Sequence, residues 1–404
     1  MNTPAPVVTK VEWPVAGGPD EGLRALVPLL RERSAAHGFV SLLLAGSLAR
    51  DEGSLLLTPA GPQLFNDVDL LLVTERPVPA VVAGAWEREA TRLLAPDSPY
   101  AGDGLSPLGL HVDLAVLPRA RLGRLPCTLF NFDLQSARVL GGENVLPELP
   151  SFCASDIPAR EALLLLGNRC LSLCESAGPP EAGTALWMYY HALKALIDAG
   201  AALLILSGCY CTPQRERFPL LEGVLRADYP SLLARWPHLA EMVEAAVVER
   251  RHLRADIGWG EAAARWRQAR GVILQTLRCS LARVLRLPER SRWAALSEGM
   301  HCWLTSLGAL AEGRRLRVAA ARWSALRVAG RPRRLLAQAA VQAAAPHLVM
   351  AIDPGGDTPD EYHGDLTLAA SYLSKLTTGP ARDGCDGDWR DLRDAAIDCW
   401  KRAA

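Results

Sequence analysis

Three aspartates stand inside apolar runs that give a carboxylate no hydrophobic reason to be there. Asp67 and Asp69 head "DVDLLLVT" (67–74), and Asp113 interrupts "LHVDLAVLP" (110–118). In an extended strand, residues i and i+2 point to the same face, so Asp67 and Asp69 can reach one ion pair while Val68 turns to the core. Withdrawing a lone carboxylate from water is costly unless it is paired or ligates metal, so three acids at strand positions point to a shared cation. Carboxylate oxygens are hard ligands, and Mg²⁺ is commonly held by one or two of them together with substrate phosphates. A third carboxylate from a neighbouring strand completes a clamp for two ions. Upstream, "LLLAGSLARDEG" (42–53) runs an apolar strand straight into Gly46-Ser47. Glycine at a strand end lets the backbone approach a phosphate closely, and exposed N–H groups with a serine hydroxyl can hold its oxygens. Gly-Ser alone says little. Its weight comes from the order: strand, Gly-Ser, Asp-x-Asp strand, third-Asp strand. The plainer alternative is that Asp67 and Asp69 only cap a strand after the turn "GPQLFN".

Such residues need a sheet to hold them, and the first 150 residues have the texture of one. Apolar runs of strand length, "FVSLLLAG" (39–46), 67–74 and 110–118, alternate with helical patterns at 21–38 and 81–96. After "GGENVLPELPSF" (141–152), a loop by its Gly, Asn and Pro content, no strand is expected. Ala, Leu and Arg instead recur with a 3.6-residue period over 158–177, 182–206, 229–252 and 260–286. An α+β chain is expected, with a mixed sheet flanked by helices over 1–150. A larger all-helical domain follows over 151–404, subdivided near 255–290.

Composition narrows the function classes. Half of the 404 residues are hydrophobic and 22% are charged, which suits packed domains rather than a disordered chain. Forty-four basic residues balance forty-four acidic ones, so no global charge draws the chain to nucleic acid or membrane. "MNTPAPVVTKVEWP" has no basic start leading into an apolar core, and the longest apolar run, about 199–209, is too short to cross a bilayer. A cytoplasmic protein without membrane association is expected. Its ten cysteines are then expected to be reduced, and Cys170/Cys174 and Cys209/Cys211 lack zinc-ribbon spacing. Two local charge runs stand out. Eight arginines lie between Arg314 and Arg334 without an acid, and eleven acids face four bases between Asp353 and Asp398. They read as solvated faces; the sharper alternative for the first is a platform for a polyanion. The stretch "DGCDGDWRDLRD" (383–394) lacks the EF-hand ligand series and reads as surface.

The order of Gly46, Ser47, Asp67, Asp69 and Asp113 resembles the DNA polymerase β-like nucleotidyltransferase superfamily. The likeness extends to "FNFDLQSARVLGGENVL" (130–146), which resembles the segment closing the catalytic domain of bacterial two-domain members. It also extends to "YHALKALIDAGAALLILSGCYCTPQRERF" (190–218), which resembles the helical domain of small-substrate members related to aminoglycoside nucleotidyltransferases. The resemblance implies transfer of a nucleoside monophosphate from an NTP, such as ATP, to an acceptor hydroxyl, with pyrophosphate leaving. It implies two Mg²⁺ ions, with Mn²⁺ as a substitute, on Asp67, Asp69 and Asp113; Asp113, beside the acceptor, helps deprotonate the nucleophile. Gly46 and Ser47 hold phosphate, and Lys194 matches a lysine that reaches the triphosphate. This chain departs from the pattern in one respect: nineteen residues, including "SLLLTPAGPQLF", separate Ser47 from Asp67 where the family crosses with far fewer. A surface excursion over 54–65, outside the sheet, is expected there.

Other readings stay open from the sequence. The acceptor is a small molecule, an RNA 3′ end held by Arg314–Arg334, or a protein side-chain hydroxyl; or the chain binds nucleotide without catalysis. His111 shares a strand face with Asp113 and reads as a neighbour of the metal ligands or as a satisfied edge residue. Tyr190, one turn before Lys194, is a further candidate for the cleft, and Asn168-Arg169 for ordering the domain junction or contacting phosphate.

Overall fold

A computed structural model describes residues 23–58, 61–65, 67–94, 110–180, 183–304, 331–353, 363–374 and 389–403. The chain divides into two compact units. The first takes residues up to Pro126, Phe130–Ser151 and Arg251–Ala255, and the second takes Cys127–Leu129, Phe152–Arg250 and the chain from Asp256 on. The layout is α+β, a mixed sheet with helices followed by a larger helical part.

The first unit contains seven strands among its described residues: β1 (Phe39–Leu44), β2 (Ser54–Thr58), β3 (Gly61–Phe65), β4 (Asp67–Thr74), β5 (His111–Pro118), β6 (Arg138–Gly142) and β7 (His252–Arg254). Four form a sheet in the order β5-β4-β1-β6, with β4 and β5 parallel and β1 antiparallel to both β4 and β6. Alternation sorts their side chains onto two faces. Leu42, Leu44, Val68, Leu70, Leu72, Val112 and Leu114 point to one face. They pack there with Leu26 and Leu30 of helix α1 (Leu26–Ser34) and with Trp86 and Ala90 of helix α3 (Ala80–Leu94). Leu43, Leu71 and Val73 point to the other, under Leu122, Leu134, Ala137 and Val145. Cover on both faces accounts for the unbroken apolar run Leu70–Val73, since a strand exposed on one face would alternate with polar residues. Each fully buried leucine of this kind contributes about 1.5–3 kcal/mol. Asp67 and Asp69 share the second face with Leu71 and Val73 but lie at the strand's start.

Residues 54–58 and 61–65 lie outside this sheet but are not a plain surface loop. They form the hairpin β2–β3, with Leu55 and Phe65 buried, in a separate sheet of order β3-β2-β7. Pro62 is tolerated because β3 is an edge strand and needs no outward N–H. β7 corrects the expectation that no strand follows residue 152: residues 252–254 pair in parallel with Leu55–Leu57 and complete the first unit. Three residues carry no readable alternation, and their partner is remote in sequence.

The second unit is built from α4 (Ala159–Ser176), α5 (Thr184–Leu206), α6 (Gln214–Asp228), α7 (Pro230–Arg235), α8 (Leu239–Arg251) and α9 (Trp259–Leu285). A helix over 293–304 follows, then α10 (Arg331–Met350), α11 (His363–Ser374) and α12 (Trp389–Ala403). The single helix expected over 229–252 breaks between α7 and α8. Pro237 disfavours helical backbone at the residue before it, and Trp236 sits at φ −128°, ψ 72°. Helix α5 runs unbroken for 23 residues, longer than the apolar run seen in the sequence, with a mean hydropathy of 1.3 over its most apolar window. That is enough in length and composition to cross a bilayer, yet 83% of the window is buried among its neighbours, as in a core helix. Trp266 of α9 is fully buried and donates its indole N–H to the Leu173 carbonyl at 3.0 Å. Further along, His347 of α10 links two elements: its Nδ1 lies 2.9 Å from Asp365 Oδ1 and its Nε2 3.0 Å from Ser297 Oγ.

Candidate metal centre

The parallel pairing of β4 with β5 sets Asp69 directly opposite Asp113 and Asp67 opposite His111. All four lie on the second sheet face. One oxygen from each of Asp67, Asp69 and Asp113 lies within 4.8 Å of the other two, and among the described residues this is the one group of three or more Asp, Glu, His or Cys side chains close enough to share an ion. Asp67 and Asp69 are half-buried, while the Asp113 side chain is 54% exposed, so the group opens to solvent on the β5 side. Metal–oxygen bonds of about 2.0–2.1 Å put two ligands of one Mg²⁺ at most about 4.2 Å apart, so the observed spacing suits one or two bridged ions. Three carboxylates and no sulfur is a donor set for a hard cation. His111 Nε2 stands 3.5 Å from Asp113 Oδ1, an ion pair whenever the imidazole is protonated.

Gly46 is required here by the carboxylate as well as by the backbone. It opens a four-residue helical turn, α2 (Gly46–Ala49), at φ +64°, in the region that disfavours side chains. A Cβ on it would lie 2.7 Å from Asp69 Cγ and overlap the carboxylate oxygen. The N–H of Ala45 meanwhile donates to the Asp69 carbonyl at 2.9 Å. The end of β1 is therefore fastened to the backbone of the aspartate whose side chain the next residue accommodates. The sequence assigned this glycine to phosphate approach alone; its clearance of Asp69 is an addition.

The loop after Ser47 is held by three arginines that sequence reasoning did not single out. The Ser47 carbonyl accepts N–H bonds from Arg50 (3.2 Å) and Glu52 (2.8 Å). Arg50 donates Nε to Glu52 at 2.9 Å and reaches Asp133 at 3.6 Å. Arg138 donates to the Leu48 carbonyl at 2.9 Å and stands 3.3 Å from the Asp51 carboxylate, while Arg251 donates to the Asp51 carbonyl at 2.7 Å. Asp51 itself sits at φ +57°, which aspartate tolerates better than most residues. Nothing local in "LARDEG" marks this cluster, because two of the three arginines, Arg138 and Arg251, come from distant segments.

The far side of β5 is the sheet's edge, and its outward N–H groups meet α3. Val112 N–H donates to Thr91 Oγ1 at 3.0 Å and Leu114 N–H to Glu87 Oε2 at 3.0 Å. Burial pushes the Glu87 carboxyl above its ordinary range, and the neighbouring Asp113 charge pushes the same way against the Leu114 N–H.

The remaining candidates lie in the second unit. Lys194 lies on α5 in the second unit, half-buried, with Nζ 5.4 Å from the centre of the Tyr190 ring. Tyr190 is buried at 1% exposure. Asn168 accepts from Gln342 at 2.6 Å and Arg169 is paired with Asp198 at 2.6 Å, which ties both within the second unit. Cys170 and Cys174 are fully buried, and burial pushes the Cys170 thiol up to about 12 and Cys174 upward as well, as for small apolar residues. Of the Arg314–Arg334 run, residues 314–330 lie outside the described residues, as do 383–388 of the acidic stretch.

No protein-family model matches the chain, and a search of curated proteins finds no match. Among solved structures, a spectinomycin adenyltransferase from Enterococcus faecialis, determined with ATP and spectinomycin, is similar over 64% of this chain and 98% of its own. The identity is 12% and the TM-score 0.38, a likeness too slight to carry an argument.

Proposed function

We propose that the chain is a metal-dependent nucleotidyltransferase that moves a nucleoside monophosphate from an NTP to an acceptor hydroxyl and releases pyrophosphate. The observation that carries the reading is the convergence of Asp67, Asp69 and Asp113 within 4.8 Å, with Gly46 turned against the Asp69 carboxylate. Divalent ions held there would supply positive charge to the attacking and leaving oxygens as charge develops on them. Asp67 and Asp69 hold and orient, and Asp113, the most exposed of the three, faces the acceptor and takes part in removing its proton. Ser47 and the Gly46 backbone receive phosphate oxygens, and Lys194 steadies the triphosphate. The likeness of 190–218 to small-substrate relatives favours a small-molecule acceptor.

The test is incubation of the purified chain with each NTP and Mg²⁺ or Mn²⁺, following pyrophosphate with and without pools of hydroxylated acceptors. Acceptor-dependent pyrophosphate from the wild type and none from Asp69→Asn is expected. No pyrophosphate with any NTP and any pool would leave a nucleotide-binding protein without catalysis.

A further inference from the structure

We infer that Glu87 and Thr91 of α3 are positioning residues for Asp113: by holding the outer edge of β5 they set how far Asp113 stands from Asp67 and Asp69, and so how tightly the three carboxylates take a divalent cation. The inference rests on the metal-site reading above.

β5 is the last strand of its sheet, so only one side of its backbone is fixed by β4. The outward N–H groups, those of Val112 and Leu114, flank Asp113, and both are taken by α3 side chains at 3.0 Å. The spacing fits. Glu87 and Thr91 are one helical turn apart, about 6 Å along the axis, and N–H groups two residues apart along a strand are separated by roughly 6.6 Å. Thr91 is committed on both sides, since its hydroxyl also donates to the Glu87 carbonyl at 3.0 Å, and its side chain is buried. Residue 113 is thus suspended between two ladders, one to β4 and one to a helix anchored in the core by Trp86 and Ala90.

One feature separates this from ordinary capping of an exposed edge: water would satisfy the same N–H groups without fixing where they lie, whereas Glu87 and Thr91 are carried by one helix that is anchored in the core. Groups that orient metal ligands from behind commonly change metal affinity ten- to a hundredfold when removed.

The experiment measures Mn²⁺ binding to the full chain by the paramagnetic resonance signal of free Mn²⁺, alongside amide hydrogen exchange at Val112 and Leu114. Three variants divide the possibilities. Glu87→Asp keeps the charge but falls a methylene short of Leu114, Glu87→Gln keeps the reach and the acceptor without the charge, and Thr91→Val keeps shape but loses the acceptor. Glu87→Asp and Thr91→Val are expected to bind Mn²⁺ about tenfold more weakly, with faster exchange at the amide each has released. Glu87→Gln should keep wild-type exchange and stay within about threefold in affinity. Affinities of Glu87→Asp and Thr91→Val within twofold of wild type, or unchanged exchange at both amides, would overturn the inference while leaving the metal site standing. A wild type that takes no Mn²⁺, or takes it equally well as Asp69→Asn, would remove the metal site itself and the inference with it. Because Glu87→Asp and Glu87→Gln stay polar at a half-buried position, misfolding of the more disruptive Thr91→Val does not leave the question open.

Discussion

Replacing Gly46 by alanine drives a methyl group into the Asp69 carboxylate and asks alanine to hold φ +64°. Strain of this kind costs on the order of 1–3 kcal/mol, and the carboxylate must move to admit the methyl. Gly46→Ala is therefore expected to bind Mn²⁺ at least tenfold more weakly than wild type, while its melting temperature falls by only a few degrees; equal binding would show that Asp69 does not depend on that space. Asp69→Asn asks the complementary question, since it preserves shape and removes charge. Its turnover should fall by several orders of magnitude with folding retained, measured as pyrophosphate release on a metal-supplemented sample. At this scale much was readable in advance. Asp67, Asp69 and Asp113 stood out because a carboxylate inside an apolar strand is costly, and the two-residue period put the first pair on one face. The clearance at Gly46 was not readable, because it depends on β1 and β4 meeting, which no local pattern encodes.

Among elements, β4 and β5 were legible as apolar runs of strand length and α3 by its 3.6-residue period. β7 and the break at Pro237 were not: one is too short to carry a period, and the other sits inside an otherwise continuous helical pattern. The arginine cluster around the Ser47–Glu52 loop shares the difficulty of β7, since Arg138 and Arg251 arrive from elsewhere. The helical unit supplies a prediction of its own. His347 is fully buried between Ser297 and Asp365, and burial holds its pKa below the ordinary 6.5 in spite of the Asp365 carboxylate. A histidine depressed in this way favours the folded state above pH 6.5, and that contribution is lost as pH falls, because the unfolded chain takes up the proton first. Thermal unfolding between pH 7.5 and 5.5 should show a drop in melting temperature, and His347→Gln should flatten part of it. An unchanged slope in the variant would mean that other groups set the pH dependence. The Ser297–His347–Asp365 arrangement has the order of a nucleophile, base and orienting acid, but among the described residues Ser297 is fully buried within a helix.

For the molecule as a whole, Lys194 carries the prediction that tests the proposed triphosphate contact. A charge-assisted contact to a triphosphate is worth about 1.5–3 kcal/mol, so Lys194→Ala should raise the apparent KM for NTP by roughly tenfold or more with little change in the KM for acceptor. Unchanged kinetics with altered stability would make it a core lysine of α5 and nothing more. Acceptor class is tested at the same scale: an RNA acceptor would make activity fall steeply with added salt, and a small hydroxylated molecule would not. One topological feature reaches beyond catalysis. The bond from Arg251 to Asp51 spans 200 residues of sequence, and the strand beside it is the third member of the smaller sheet. A nascent chain emerges from the ribosome in order, at about 5–20 residues per second, so β2 waits roughly 10 to 40 s for its partner to be synthesised. During that interval the Leu55–Leu57 edge is an unpaired template for other growing chains. The first unit, encoded first, is thus completed only once residues 251–255 have been made.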